Sequence, residues 1–253
     1  MNKFFSATMM AVSLYAAHGL AIADEVVSEV RNIDGRAVKV VLDGVINLKL
    51  KQGGNASLVV SGDKRHLSKV TVTQNGDTLR IGTDLRGVHM GNTSLNAELT
   101  LPDLRELVSA GVGSAEVSGF TGDAVRLALE GAGSVNLVSR YRVVNARLTG
   151  VGSMNVNAGE SEQVDLNLRG AGQIVISGQS RNLRATLGGI GSLDAQRLRA
   201  DSVDVDLSGL GGATVYAKNS ASLRLTGLGS ATVYGKPANR NASSRGLGSV
   251  AWN

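Results

Sequence analysis

The chain has 253 residues, 42% of them hydrophobic, 19% charged and only 3% aromatic, with a formal net charge of +5. It contains no Cys, which excludes a disulfide framework, and its 33 Gly lack the every-third-residue spacing of collagen. The supply of Val, Leu and Ile excludes intrinsic disorder and suits one large or two small folded domains.

Residues 1–23 place Lys3 ahead of an apolar run from Phe4 to Leu20, then Ala21-Ile22-Ala23 before Asp24. This is the order of a secretory signal peptide cleaved after Ala23, and the run is short for an uncleaved membrane anchor. With no Cys at or after that site, the lipid attachment of exported lipoproteins is not available to the chain. No later segment approaches 18 apolar residues, so the exported chain is expected to be soluble. Basic residues are scattered, with Lys64-Arg65-His66 the densest cluster and no basic run of five. Such scatter reads as a solvated surface rather than a specific nucleic-acid site.

Residues 24–100 carry period-two apolar pairs and triplets: Val38 and Val40, Ile46, Leu48 and Leu50, Val70 and Val72, Leu79 and Ile81, then Leu95, Ala97 and Leu99. Turn residues separate them at Gly53-Gly54-Asn55, Ser61-Gly62-Asp63 and Asn75-Gly76-Asp77, the last a strong hairpin signal. These read as irregular β coils at the N-terminal end of whatever follows, with a separate small β domain as the alternative.

From residue 101 to 253 a signature of Gly, an apolar residue, Gly and usually Ser recurs eight times, beginning at Gly111, Gly131, Gly150, Gly170, Gly189, Gly209, Gly227 and Gly246. The spacing is always 18 to 20 residues, which marks a structural repeat. Two residues before the first Gly stand Leu129, Leu148, Leu168, Leu187, Leu207 and Leu225, with Ser109 and Ser244 at the two ends. Four before stand Leu107, Leu127, Ala146, Leu166, Ala185, Val205, Leu223 and Ala242; six before stand Val125, Val144, Val164, Leu183, Val203 and Ala221. After the signature the alternation resumes through Ala115, Val135, Met154 and Ile174 and, two positions on, Val117, Leu137, Val156 and Ile176, with Trp252 closing that column. Period two on both sides of the glycines predicts two short strands meeting at a sharp corner.

Glycine recurs there because a corner needs positive φ or a backbone approach too close for a Cβ. The residue between the two glycines is apolar in every copy, and on that ground it is expected to plug the corner from inside. The segments that follow the second strand, such as 157–163 and 218–220, read as loops. A single repeat of about 19 residues buries too few side chains to offset its ordering entropy, so repeats must share core and hydrogen bonds by stacking. The predicted fold class is therefore all-β, a right-handed parallel β-helix, or solenoid, with coils of about 19 residues. An outward column of Glu106, Arg126, Asn145, Asp165, Arg184, Asp204, Ser222 and Asn241 supports this register, since no two neighbours share a sign. Trp252 is expected to cap the hydrophobic bore.

A resemblance becomes specific in the stretches 41–53, with Asp43-Gly44-Val45-Ile46-Asn47 at its centre, Val59-Val60-Ser61-Gly62-Asp63, Gly76-Asp77-Thr78-Leu79-Arg80-Ile81 and Leu101-Pro102-Asp103-Leu104 ahead of the repeats. Together they resemble the bacterial family called putative auto-transporter adhesin, head GIN domain, over roughly Val38 to Trp252. The resemblance implies an exported right-handed β-helix, and the family name suggests adhesion.

Catalytic chemistry is thinly represented. His66 and His89 have no metal-ligand spacing, and none of the signatures completes Gly-x-Gly-x-x-Gly. Gly188-Gly189-Ile190-Gly191 begins like a calcium-binding nonapeptide, but Leu193 stands where its Asp belongs. The best acidic patch is Asp204 and Asp206 with Asp165 one coil away, and Arg184 and Arg224 stand ready to pair with it. Tyr216 and Tyr234 occupy equivalent positions on adjacent coils and form the one plausible aromatic platform. No catalytic, cofactor-binding or metal-binding residue is assigned. The expected function is an exported, non-enzymatic β-solenoid of the bacterial cell envelope, periplasmic or at the surface, binding an envelope or extracellular glycan or protein. An enzyme acting on envelope or extracellular polysaccharide and a weak polyanion binder are the alternatives.

Overall fold

The computed structural model describes residues 26–84 and 95–253; the expected signal peptide and His89 lie outside them. The described chain is a parallel β-solenoid of about seven turns. Its regular part runs from β9 (Val112–Leu129) through β10 (Ala132–Leu148), β11 (Val151–Leu168), β12 (Ala171–Leu187), β13 (Ile190–Leu207) and β14 (Leu210–Leu225). Each is one full coil, paired in parallel with the next. Leu129, Leu148, Leu168, Leu187, Leu207 and Leu225 lie in direct register and are all buried, as are the columns four and six residues before the glycines through Leu223 and Ala221. On the outermost rung, β16 (Asn239–Ser244) and β17 (Val250–Trp252), Ala242 and Ser244 hold the same columns but are exposed. Trp252 stands in register with Val233 of β15 (Leu228–Tyr234), packs partly buried against the core, and has the Arg240 guanidinium 5.3 Å from its ring centroid.

Glycine is obligatory at both corner positions. A Cβ on Gly131 would lie 1.9 Å from the Gly111 carbonyl oxygen, and one on Gly152 1.8 Å from that of Gly133. The same approach repeats coil after coil, so the carbonyl of one corner fills the side-chain space of the next. The residue between the glycines, however, does not plug the corner. Val112 is 49% exposed, Val151 60%, Ile190 63%, Leu210 47%, Leu228 57% and Leu247 89%. The alternation runs unbroken through the corner, so the glycines take the inward slots and the residue between them, on the opposite parity, must face out.

Two further expectations are corrected. The segments read as loops after the second strand are strand: β11 continues through 157–163 with only a register shift, and β14 includes 218–220. Small inward residues, Ser161, Ser180, Ala200 and Ala217, carry the core through this third side. Ser61-Gly62-Asp63 is not a turn but the end of β4 (Ser57–Asp63), where Asp63 caps the short helix α1 (Lys64–Leu67) by accepting from the Arg65 N–H at 2.8 Å.

The N-terminal coils stack out of chain order. The coil β2 (Lys39–Asp43) and β3 (Asn47–Gln52) pairs in parallel on one side with β8 (Glu106–Ser109) and β9, and on the other with β6 (Thr78–Thr83) and β7 (Asn96–Leu101). Beyond them the pairing turns antiparallel: β5 (Val70–Asn75) on β6 through the Gly76 hairpin, β4 on β7, and β1 (Val26–Arg31) on β4. Gly44-Val45 continues the corner upward, with Val45 bridged to Val112 and the Gly44 carbonyl where a Cβ of Gly111 would stand.

Candidate functional site

Parallel pairing carries each outward residue into a row of equivalents roughly 4.8 Å apart, so the solenoid presents rigid rows of side chains rather than a mobile loop. The strand side that ends at the corner holds the expected column, Glu106 to Asn241, in the predicted register. Beside it runs a second row that includes Arg147, Asn167, Thr186, Asp206 and Arg224. Between the rows lies a groove of about 320 Å³, lined by both signs of charge, among them Arg126, Asp165 and Arg184. A second depression of about 390 Å³ shares Arg184 and continues past Asp204 and Ser222. Within the first groove Asn167 leaves its Oδ1 shielded from solvent and without a hydrogen-bond partner.

The acidic residues singled out from sequence sit on this side but are engaged, two with arginines and one with a glutamine. Asp204 lies 3.6 Å from Arg184 Nε and Asp206 3.9 Å from Arg224 Nη1. Asp165 accepts from Gln163 Nε2 at 2.8 Å. Ion pairing, rather than two carboxyls converging on one bond, is what the geometry provides. Tyr216 and Tyr234 are in register and half-buried, above the buried Val215 and Val233. The Arg199 guanidinium stands 5.0 Å from the Tyr216 ring, so a cation already takes part of that platform. His66 lies on α1, half-buried, with Nδ1 4.0 Å from Asp63 and no hydrogen bond at that nitrogen. The neighbouring Arg65 binds Asp63 through Nε at 3.0 Å and holds its carboxyl well below the ordinary carboxylate range. Among the described residues no three His, Asp or Glu converge as metal ligands, and no helix is long and apolar enough to cross a membrane.

Two surface features escaped the reading of the sequence. One is the exposed apolar row at the corner. The other is a charge ladder on the third side, Asp123, Arg142, Glu162, Arg181, Asp201 and Lys218, in strictly alternating sign. Arg142 reaches Glu162 at 3.0 Å and Asp123 at 3.5 Å, and Lys218 reaches Asp201 at 3.8 Å. The alternation was available once those segments were taken as strands.

Stacked parallel coils with glycine corners and polar rows define a parallel β-solenoid. The model of the family described as "Putative auto-transporter adhesin, head GIN domain" matches residues 38–237, and the chain belongs to that family. No curated protein matches. Among solved structures, a putative adhesin from Parabacteroides distasonis superimposes with a TM-score of 0.83 at 20% identity, covering 90% of this chain and 97% of its own. A putative lipid binding protein from the same organism gives 0.80 at 20% identity, with 90% and 96% covered. A putative adhesin from Bacteroides fragilis gives 0.68 at 20% identity, with 91% and 98% covered. At these identities the likeness is one of fold.

Proposed function

We propose that this chain is an exported, non-enzymatic binding module of the bacterial cell envelope, periplasmic or at the cell surface, that holds a polar glycan or protein ligand along the Glu106–Asn241 side. The observation that carries this reading is the groove lined by Asn167 and by charges of both signs. The side-chain amide of Asn167 offers both a donor and an acceptor to a polar ligand. Arg126, Arg184 and Asp165 around it supply further donors and acceptors on a surface that needs no reordering to bind. Family membership and the neighbours described as putative adhesins support binding over turnover. The neighbour described as a putative lipid binding protein widens the ligand classes worth screening. The alternating ladder on the third side supports a polyanion track poorly, because Arg142 and Arg181 each lie between two acids and Lys218 lies 3.8 Å from Asp201.

The test is a screen of the chain from Asp24 against glycan arrays and fractionated envelope, beside Asn167→Ala and Asp165→Ala. Retention that both variants reduce at least tenfold is expected. Release of new sugar ends from any polysaccharide would overturn the non-enzymatic reading, and retention indifferent to both variants would move the site off this side.

A further inference from the structure

The exposed apolar row at the corner is a surface that the folding of one chain does not use. From Val112 to Leu247 it counts eight rungs, about 34 Å at ~4.8 Å per step, with the half-buried Val45 bridged to Val112 one rung beyond, and it is bordered on both sides by glycines that offer no side chain. A single-file protrusion of this kind leaves its apolar surface wet along the whole stack.

The row is graded in size. Over those eight rungs the first four residues are Val112, Ala132, Val151 and Ala171, and the last four are Ile190, Leu210, Leu228 and Leu247. We infer that the occupant of this surface is a second copy of the chain, laid antiparallel corner to corner about a two-fold axis between Ala171 and Ile190. That register sets every small residue against a large one: Val112 against the second copy's Leu247, Ala132 against its Leu228, Val151 against its Leu210 and Ala171 against its Ile190. The combined height is then even along the contact. A parallel arrangement would set Ala132 on Ala132 and Leu228 on Leu228, leaving a gap at one end.

Charge selects the same register independently. An antiparallel two-fold across the corner brings the groove side of one copy to face the groove side of the other. Counting coils from the axis, Arg147 then faces the second copy's Asp206, and Glu130 faces its Thr226. Arg147 is exposed, and Asp206, half-buried and 3.9 Å from Arg224 of its own chain, then stands between two arginines, so no like charges meet at these positions. The contact is narrow, on the order of 500–700 Å² per copy against the ~800 Å² of a standard interface, so the association is weak and depends on concentration. The assembly places the two grooves on one side of the dimer, which makes binding there bivalent.

The dimer does not rest on the proposed ligand site, and the test separates them. Sedimentation equilibrium of the chain from Asp24, from about 1 to about 300 µM, should show a monomer–dimer equilibrium. Ile190→Glu with Leu210→Glu should raise the dissociation constant at least tenfold while leaving the melting temperature and ligand retention by the groove in place. Arg147→Asp should weaken the dimer several-fold, and adding Asp206→Arg should restore it to within about twofold. A monomer at every concentration, or a dimer indifferent to these changes, overturns the inference. So does loss of binding to phosphatidylethanolamine–phosphatidylglycerol vesicles by the corner variant of a monomeric chain, which would assign the row to lipid.

Discussion

The phenolic hydroxyl of Tyr141 donates to the Leu104 carbonyl at 2.6 Å, so the coil that contains β10 is tied through the interior to the start of an earlier coil. Gly122, in register with Tyr141, makes room for the ring: a Cβ there would lie 3.0 Å from Cε1. Burial, with a smaller contribution from the Asp103 charge, pushes the Tyr141 phenol above its ordinary value. Below about pH 10 both folded and unfolded chains keep this proton and its contribution is intact. Above that the unfolded chain loses the proton first, so stability falls as pH rises. Denaturant titrations should show this alkaline loss, and Tyr141→Phe should flatten it while costing about 1–2 kcal/mol at neutral pH.

Leu168 is buried between Leu148 and Leu187 in the stacked column. Leu168→Ala should cost about 2–5 kcal/mol, because the coils on either side are fixed by backbone pairing and can collapse only partly into the space. Urea unfolding measures it; a loss under about 0.5 kcal/mol would contradict the inward column.

The corner makes opposite predictions for adjacent residues. Gly152→Ala sets a Cβ against the Gly133 carbonyl at a φ of 145°, so it should destabilise by at least about 1–3 kcal/mol. Val151→Ser, on the exposed row, should stay within about 0.5 kcal/mol. Thermal melts of the two variants side by side check both.

Glu162→Lys would set a cation between Arg142 and Arg181 and break the alternating ladder. The expected loss is about 0.5–1 kcal/mol at low salt, shrinking as ionic strength rises. Melting curves at several salt concentrations would show the dependence, and Glu162→Gln should show less of it.

The solenoid was legible because its core is written in two codes at once, glycine spacing and alternation, and Leu148, Leu168 and Leu187 satisfy both. Val151 and Ile190 were misplaced because apolar character was taken as a sign of burial, although their parity already put them outside. The third side was hidden by its own inward residues: Ser161 and Ser180 are small and polar, and they satisfy their hydroxyls on the backbone of the coil, Ser161 on the Tyr141 and Ala158 carbonyls and Ser180 on that of Asn182. The placement of β2 between β6 and β8 could not be read at all, since chain order is the only guide to stacking order in a repeat and here it does not hold. Of the groove, Asp165 and Arg184 stood in a column already read as outward, whereas the unpartnered oxygen of Asn167 depends on packing.

Because the chain has no Cys, a single introduced thiol reports its own position without background. Labelling rates of Val151→Cys, Met154→Cys, Asn155→Cys and Val156→Cys test the unbroken in-and-out order through the corner most directly. Val151→Cys and Asn155→Cys should react nearly as fast as in the unfolded chain, and Met154→Cys and Val156→Cys only on opening of the stack. A protected thiol at 151, or a freely reactive one at 154, would contradict the account.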